Sequence, residues 1–202
     1  MPRIDGEVGP TPEGRDPADF DRLRRRVLWS MPTGLFVVGS RSGARRNLMT
    51  CNWAMQVATT PKLVAVAVEQ GSVTRALIEE GGWFSVSILS RADRAVVRRF
   101  VKAVDAVVVD AGGGAVSMQG EPVVEGVGGV PRLASALAWL DCEVRTIVAW
   151  EAEVGKPSSH VLFVGEVIDA GEDAGDASDA GEPTRDAAAV LRMEDTRMNY
   201  GG

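Results

Sequence analysis

With 202 residues, 45% of them hydrophobic and 25% charged, the chain has the composition of one globular domain, able to bury a core without disulfides or a structural metal. A single histidine and two cysteines exclude a multi-histidine or all-thiolate metal centre within one copy, and no nucleophile elbow supports Ser-His-Asp hydrolysis. A net charge of −6, with no basic block beyond "RLRRR", leaves only a weak nucleic-acid footprint, and no apolar run approaches the roughly 20 residues of a membrane span. The first residues lack an apolar signal core, so a cytoplasmic location is expected, with Cys51 and Cys142 reduced and packed as small apolar groups.

Residues 1–16 are rich in Pro, Gly and charge and are expected to form a disordered tail, leaving a domain over 17–202. "DPADFDRLRRRVLWSM" reads as a helix: Asp16 caps it, Pro17 suits its first turn, and Phe20, Leu23, Val27 and Leu28 form its apolar stripe. Arg22, Arg24, Arg25 and Arg26 lie mainly off that stripe and read as a solvated face. In "GLFVVGSRSGARRNLMTC" two β-rich runs flank a Ser/Gly/Arg turn, a hairpin signal.

"LVAVAVE" (Leu63 to Glu69) follows as a nearly continuous apolar strand, and "SVTRALIEEGG" as a short helix capped by Ser72 and stopped at Gly81. In the strand "WFSVSIL", Phe84, Val86 and Ile88 share one face and Ser85 and Ser87 the other. "SRADRAVVRRFVKAV" reads as a helix, with Ser90 and Asp93 as a capping box and Val96, Val97, Phe100, Val101 and Val104 as its stripe. Gly- and Pro-rich chain runs from about Gly112 to Pro131. "LAWLDCEVRTIVAWE" and "HVLFVGEVIDA" are strands. A low-complexity segment follows, expected as a flexible acidic loop at about 171–187, and "VLRMEDTRMNY" closes the chain as a short strand. Many strands and few short helices point to a mainly β (α+β) fold, a barrel with helical additions.

The stretch "RNLMTCNWAMQ" (Arg46 to Gln56) begins as a strand and then turns polar. Thr50, Asn52 and Gln56 offer a hydroxyl and two amides around Trp53, where an apolar strand should enter a core. A second polar group, Ser72-Val73-Thr74-Arg75, opens a helix, where free backbone N–H groups favour an anion. Alone, that second feature is a helix cap with a solvated arginine. Together the two outline a nucleotide site. Asn52 and Gln56 reach the rim of a planar heterocycle, Met49, Trp53 or Trp83 cover its face, and the helix start takes a phosphate. A flavin nucleotide fits that outline, as does any other nucleotide.

The sequence resembles the flavin reductase-like family, whose fold is the FMN-binding split β-barrel of Greek-key type. The matching segments, in order, are "PTG", "MT-x-N" with a following x-x-P, the "S-x-T" of Ser72 to Thr74, "F-x-V-x-IL" and "HVLFVGEV"; "ALAWLDCEV" and the final "VLRMEDTRMNY" also match, so the resemblance covers about Phe20 to Tyr200. It implies an NAD(P)H:flavin oxidoreductase with FMN as cofactor and NADH or NADPH as co-substrate. The site residues carried over are Thr33, Met49, Thr50, Cys51, Asn52, Trp53, Gln56, Ser72, Thr74 and Arg75 for the flavin, and His160 for the nicotinamide. Where the family commonly reads Gly-Asp-His, this chain reads Ser158-Ser159-His160. The mechanism implied is hydride transfer to the flavin N5, with no side chain required as acid or base and no metal. A homodimer is implied, as is a partner monooxygenase if the chain is the reductase of a two-component system. The other readings are an FMN-bound reductase of ferric iron or of a protein acceptor, and a flavin-binding module without nicotinamide turnover.

Overall fold

The hairpin read at the Ser/Gly/Arg turn forms in register. In the computed structural model, which describes residues 10–151, 157–172 and 190–196, β1 (Phe36–Ser42) pairs antiparallel with β2 (Arg45–Cys51) from Phe36↔Cys51 to Ser42↔Arg45. Gly43 turns the chain with φ +57°, a conformation that glycine adopts without steric cost. β3 (Ala54–Thr59) and β4 (Lys62–Glu69) form the next hairpin. With β5 (Trp83–Ile88), β10 (Ala138–Glu151) and β11 (Pro157–Glu172) they make one seven-stranded antiparallel sheet, ordered β2-β1-β5-β10-β11-β4-β3.

Chain connectivity rolls this sheet. β2 and β3 are its two edge strands, yet only Asn52 and Trp53 separate them in sequence. The three peptide units between Cys51 and Ala54 reach about 11 Å at most, so the edges must approach one another there. No β2–β3 ladder forms among the described residues. The roll places Val38, Val66, Phe84, Cys142 and Phe163 together in one interior cluster.

A second core lies on the outer face. Here β6 (Val107–Val109), β7 (Ala115–Met118), β8 (Glu121–Glu125) and β9 (Pro131–Leu133) form a small four-stranded sheet. Gly- and Pro-rich sequence concealed these short strands. Leu35, Val37, Leu48, Phe100, Met118 and Leu133 pack between the two sheets, so the neighbours Val37 and Val38 serve different cores. Packing is close enough that a Cβ on Gly39 would lie 1.8 Å from the Pro131 carbonyl oxygen. Ser85 and Ser87, on the face of β5 opposite Phe84, are buried beneath β9. Ser85 Oγ donates to the Pro131 carbonyl at 2.6 Å, and the Leu133 N–H donates to Ser87 Oγ at 3.1 Å.

The helices depart further from their sequence reading. α1 (Pro17–Trp29) has its Asp16 cap, which accepts from the Asp19 N–H at 2.9 Å, but none of its residues is buried. The C-terminal half of its apolar stripe is left uncovered, with Val27 56% and Leu28 59% exposed, while Phe20 and Leu23 are half-buried. α2 (Val73–Gly81) is capped by Ser72 as expected, and its left-handed terminal residue is Gly82, one later than read. The expected helix after Ser90 is two 3-10 turns, Arg91–Asp93 and Val96–Phe100. Stiff β-branched side chains weaken a helix there, and only Val97 and Phe100 of the stripe are fully buried. Ser90 does cap the first turn. Within 190–196 the expected closing strand is reduced to isolated bridges, Ser90↔Val190 and Gly34↔Arg192, before a 3-10 turn at Met193–Asp195. Residues 1–9 of the expected tail and most of the acidic segment lie outside the described residues. Among the described residues no helix is long and apolar enough to cross a membrane.

Candidate functional site

A cleft of about 1000 Å³ opens where the two sheet edges meet. One wall is the end of α1 and the chain that follows it, Leu28 to Gly34. The opposite wall is the β3–β4 hairpin, with Met55, Val57, Ala65 and Ala67, joined by Leu162 of β11. Asn52 and Trp53, the link between the edge strands, lie on the wall, and Met193, Glu194 and Thr196 contribute the remainder. The surface is largely apolar, and the volume sits at the upper end of the range for small-molecule sites.

The predicted site residues divide into two groups. Thr33, Asn52 and Trp53 line the cleft. Neither the Asn52 amide nor the Thr33 hydroxyl has a hydrogen-bond partner among the described residues. The Trp53 carbonyl accepts from the Ala67 N–H at 2.9 Å, which fixes the link against β4. His160 is off the wall but packs its ring on Trp53, centroids 4.7 Å apart. Burial lowers its pKa, against an opposing pull from the Glu69 carboxylate.

The other expected site residues lie off the wall, and most of their side chains bond to protein groups. Thr50 is buried, and its hydroxyl donates to the Val97 carbonyl rather than facing the cleft. Cys51 is buried against the Ala67 carbonyl, and burial pushes its thiol up to about 12. Met49 packs on the interior core. Gln56 is exposed and donates to the Ala58 carbonyl at 3.1 Å. Ser72 Oγ accepts from the Arg75 N–H at 3.1 Å. Thr74 is 1% exposed, and its Oγ1 accepts from Asn47 Nδ2 at 2.8 Å. Arg75 bonds Glu79 and the Gln70 carbonyl. Strand alternation explains the split on β2: within the ladder every second side chain turns inward, and beyond its end the Asn52 amide is left without a partner among the described residues.

Sequence reasoning missed Leu28, Trp29, Met31, Met55 and Met193 as wall residues. The run "VLWSM" carried the available signal, since apolar residues continued past the helix stripe. Among the described residues no group of three or more His, Cys, Asp or Glu could hold a metal ion.

A flavin fits this donor set. The amide of Asn52 and the hydroxyl of Thr33 can meet the polar edge of a planar ring, and Trp53, Leu28 and Met55 offer apolar surface to its face.

Comparison with known proteins bears on the same region. Residues 28–190 match the family model described as "Flavin reductase like domain". The flavin reductase of Pseudomonas putida is 29% identical over 147 residues, which cover 71% of this chain and 75% of that one. The solved structure of the NADH:FAD oxidoreductase SgcE6 from Streptomyces globisporus C-1027 superposes with a TM-score of 0.60 at 28% identity, covering 82% of this chain and 85% of that one. SgcE6 has also been solved in complex with NAD and FAD fragments. BorF, the flavin reductase component of a bacterial two-component tryptophan halogenase, superposes with a TM-score of 0.56 at 26% identity, covering 75% of this chain and 87% of that one.

Proposed function

The chain belongs to the flavin reductase-like family, and from that premise we propose that it is an NAD(P)H-dependent flavin reductase whose FMN sits in the cleft at the β2–β3 link. Bound there, the flavin supplies a ring that accepts hydride from a reduced nicotinamide. The chain's own residues bind, orient and exclude water. Asn52 and Thr33 would hold the polar edge of the ring, and Trp53, Leu28 and Met55 would offer apolar surface to its face. His160 acts by holding the indole of Trp53, with no proton transfer assigned to it. The observation that carries this reading is the division described above: on the wall the Asn52 and Thr33 side chains have no partner among the described residues, whereas off it Thr50, Ser72, Thr74 and Arg75 bond to protein groups.

The exposed apolar residues Leu28, Trp29, Met31 and Met55 border the same cleft. A second copy seated on them would cover that surface and close the site, which supports a homodimer. The likeness to BorF supports a role as the reductase component beside a partner oxygenase or halogenase.

The test is direct. The purified protein should show the visible absorbance of an oxidised flavin, alone or after addition of FMN, and NADH or NADPH should bleach it without oxygen. A protein that stays colourless and whose FMN titration gives no quenching overturns the reading. Flavin uptake without bleaching by either nucleotide would leave a flavin-binding module.

A further inference from the structure

Among the described residues the cleft wall carries one cation. Of these wall residues only Arg25 and Glu194 are ionisable, and Arg25 lies one turn before the end of α1. Leu28 and Trp29 follow at i+3 and i+4, so the wall passes from guanidinium to apolar surface within one turn. Arg25 is lightly held. Its ion pair is an i,i+4 contact to Asp21, Nε to Oδ2 at 3.1 Å, with the arginine side chain 54% exposed. Such a pair contributes little, and a doubly charged anion competes with it readily. Asp21 would not be orphaned, because Arg24 also holds it at 2.9 Å.

The other candidates for an anion are tied to protein groups and lie off the wall. Thr74 is buried on Asn47, Ser72 caps α2, and Arg75 bridges Glu79 and Gln70. Arg45 pairs with Glu80 and Arg91 with Asp195, and neither arginine lies on the wall.

The geometry points to Arg25 as the residue that receives the phosphate of the nucleotide seated in this cleft, an inference that rests on reading the cleft as a flavin site. The planar guanidinium fork can bond two phosphate oxygens at once, which a lysine cannot reproduce. That phosphate has two sources, the flavin nucleotide or the nicotinamide dinucleotide that reduces it.

Arg25→Gln in the full chain separates them. Titration with FMN and with riboflavin, which lacks the phosphate, gives two Kd values, and steady-state turnover gives the KM for NADH. With the flavin phosphate at Arg25, the FMN Kd rises about tenfold and the riboflavin Kd stays within about twofold of wild type. With the dinucleotide phosphate there, the KM for NADH rises by a similar factor and both flavin constants stay put. Arg25→Lys falls between wild type and Arg25→Gln. Arg22→Gln, also on α1 but off the wall, controls for loss of general positive charge and moves none of these constants. Equal weakening of FMN and riboflavin, or no change in any constant, overturns the assignment. A wild-type protein that binds neither flavin overturns the reading of the cleft, and the assignment with it; the wild-type titration alone tells those failures apart.

Discussion

His160 stands edge-on against Trp53, their ring planes crossing at 67°. The indole lines the cleft and the imidazole does not, so any effect of His160 on a bound ligand would pass through Trp53. Ser159 Oγ lies 2.9 Å from Nδ1 on the other side. On β11, His160 also pairs in register with Glu69 of β4, the carboxylate that opposes the burial effect on its pKa.

This environment predicts a pH dependence of stability. The folded pKa is lowered from the ordinary 6.5, so the unfolded chain binds more protons in the range just below that value. Stability from this group is full above the unfolded pKa and declines as pH falls through the folded one. Thermal unfolding midpoints at about pH 7.5 and about pH 5 should therefore differ more for wild type than for His160→Gln. Superimposable pH profiles would mean that the ring is effectively solvated.

Asn47 is a hub between two elements. Its Nδ2 donates to Thr74 of α2, and its Oδ1 accepts from the Val104 N–H at 2.8 Å. Thr74→Val leaves one buried donor unmet and should lower stability by about 1–3 kcal/mol in urea titration, with FMN affinity unchanged. Asn47→Ala removes both bonds and should cost more. If Thr74→Val instead weakens FMN selectively over riboflavin, the phosphate sits at the start of α2.

Asp141 clasps the small sheet to the large one. Its buried carboxylate accepts from the Val127 N–H at 2.8 Å and from Arg132 at 2.9 Å, and the Arg132 guanidinium lies 3.2 Å from the Trp139 ring centroid. Asp141→Ala strands a largely buried guanidinium and should cost about 3–5 kcal/mol, measured by denaturant unfolding. Gly126→Ala should also destabilise, because its Cβ would come within 2.0 Å of Asp141 Oδ2. Wild-type stability in both variants would show that the clasp is dispensable.

The proposed homodimer makes a separate prediction. Leu28→Glu and Met55→Glu place charges on exposed apolar positions of the cleft wall. Sedimentation velocity should show a dimer for wild type and a monomer for the double variant. A monomeric wild type that binds FMN with full affinity would remove the second copy from the site.

The sequence by itself determined the elements whose causes are local. Asp16 and Ser72 cap their helices because a cap needs only an oxygen and an N–H three residues on. The β1–β2 hairpin follows from one glycine turn between two β-rich runs, and the long apolar strands from their composition. The small sheet escaped notice because strands of three to five residues set among glycines carry no periodic signal. The site was half legible. Asn52 and Trp53 stand out as polar and aromatic residues at a strand end, but Thr50, Ser72 and Thr74 look equally available in the sequence. Tertiary structure separates their surroundings. Thr50 finds its acceptor 47 residues away and Thr74 its donor 27 residues away, so which hydroxyls stay free for a ligand depends on partners that only the rolled sheet brings into hydrogen-bonding range.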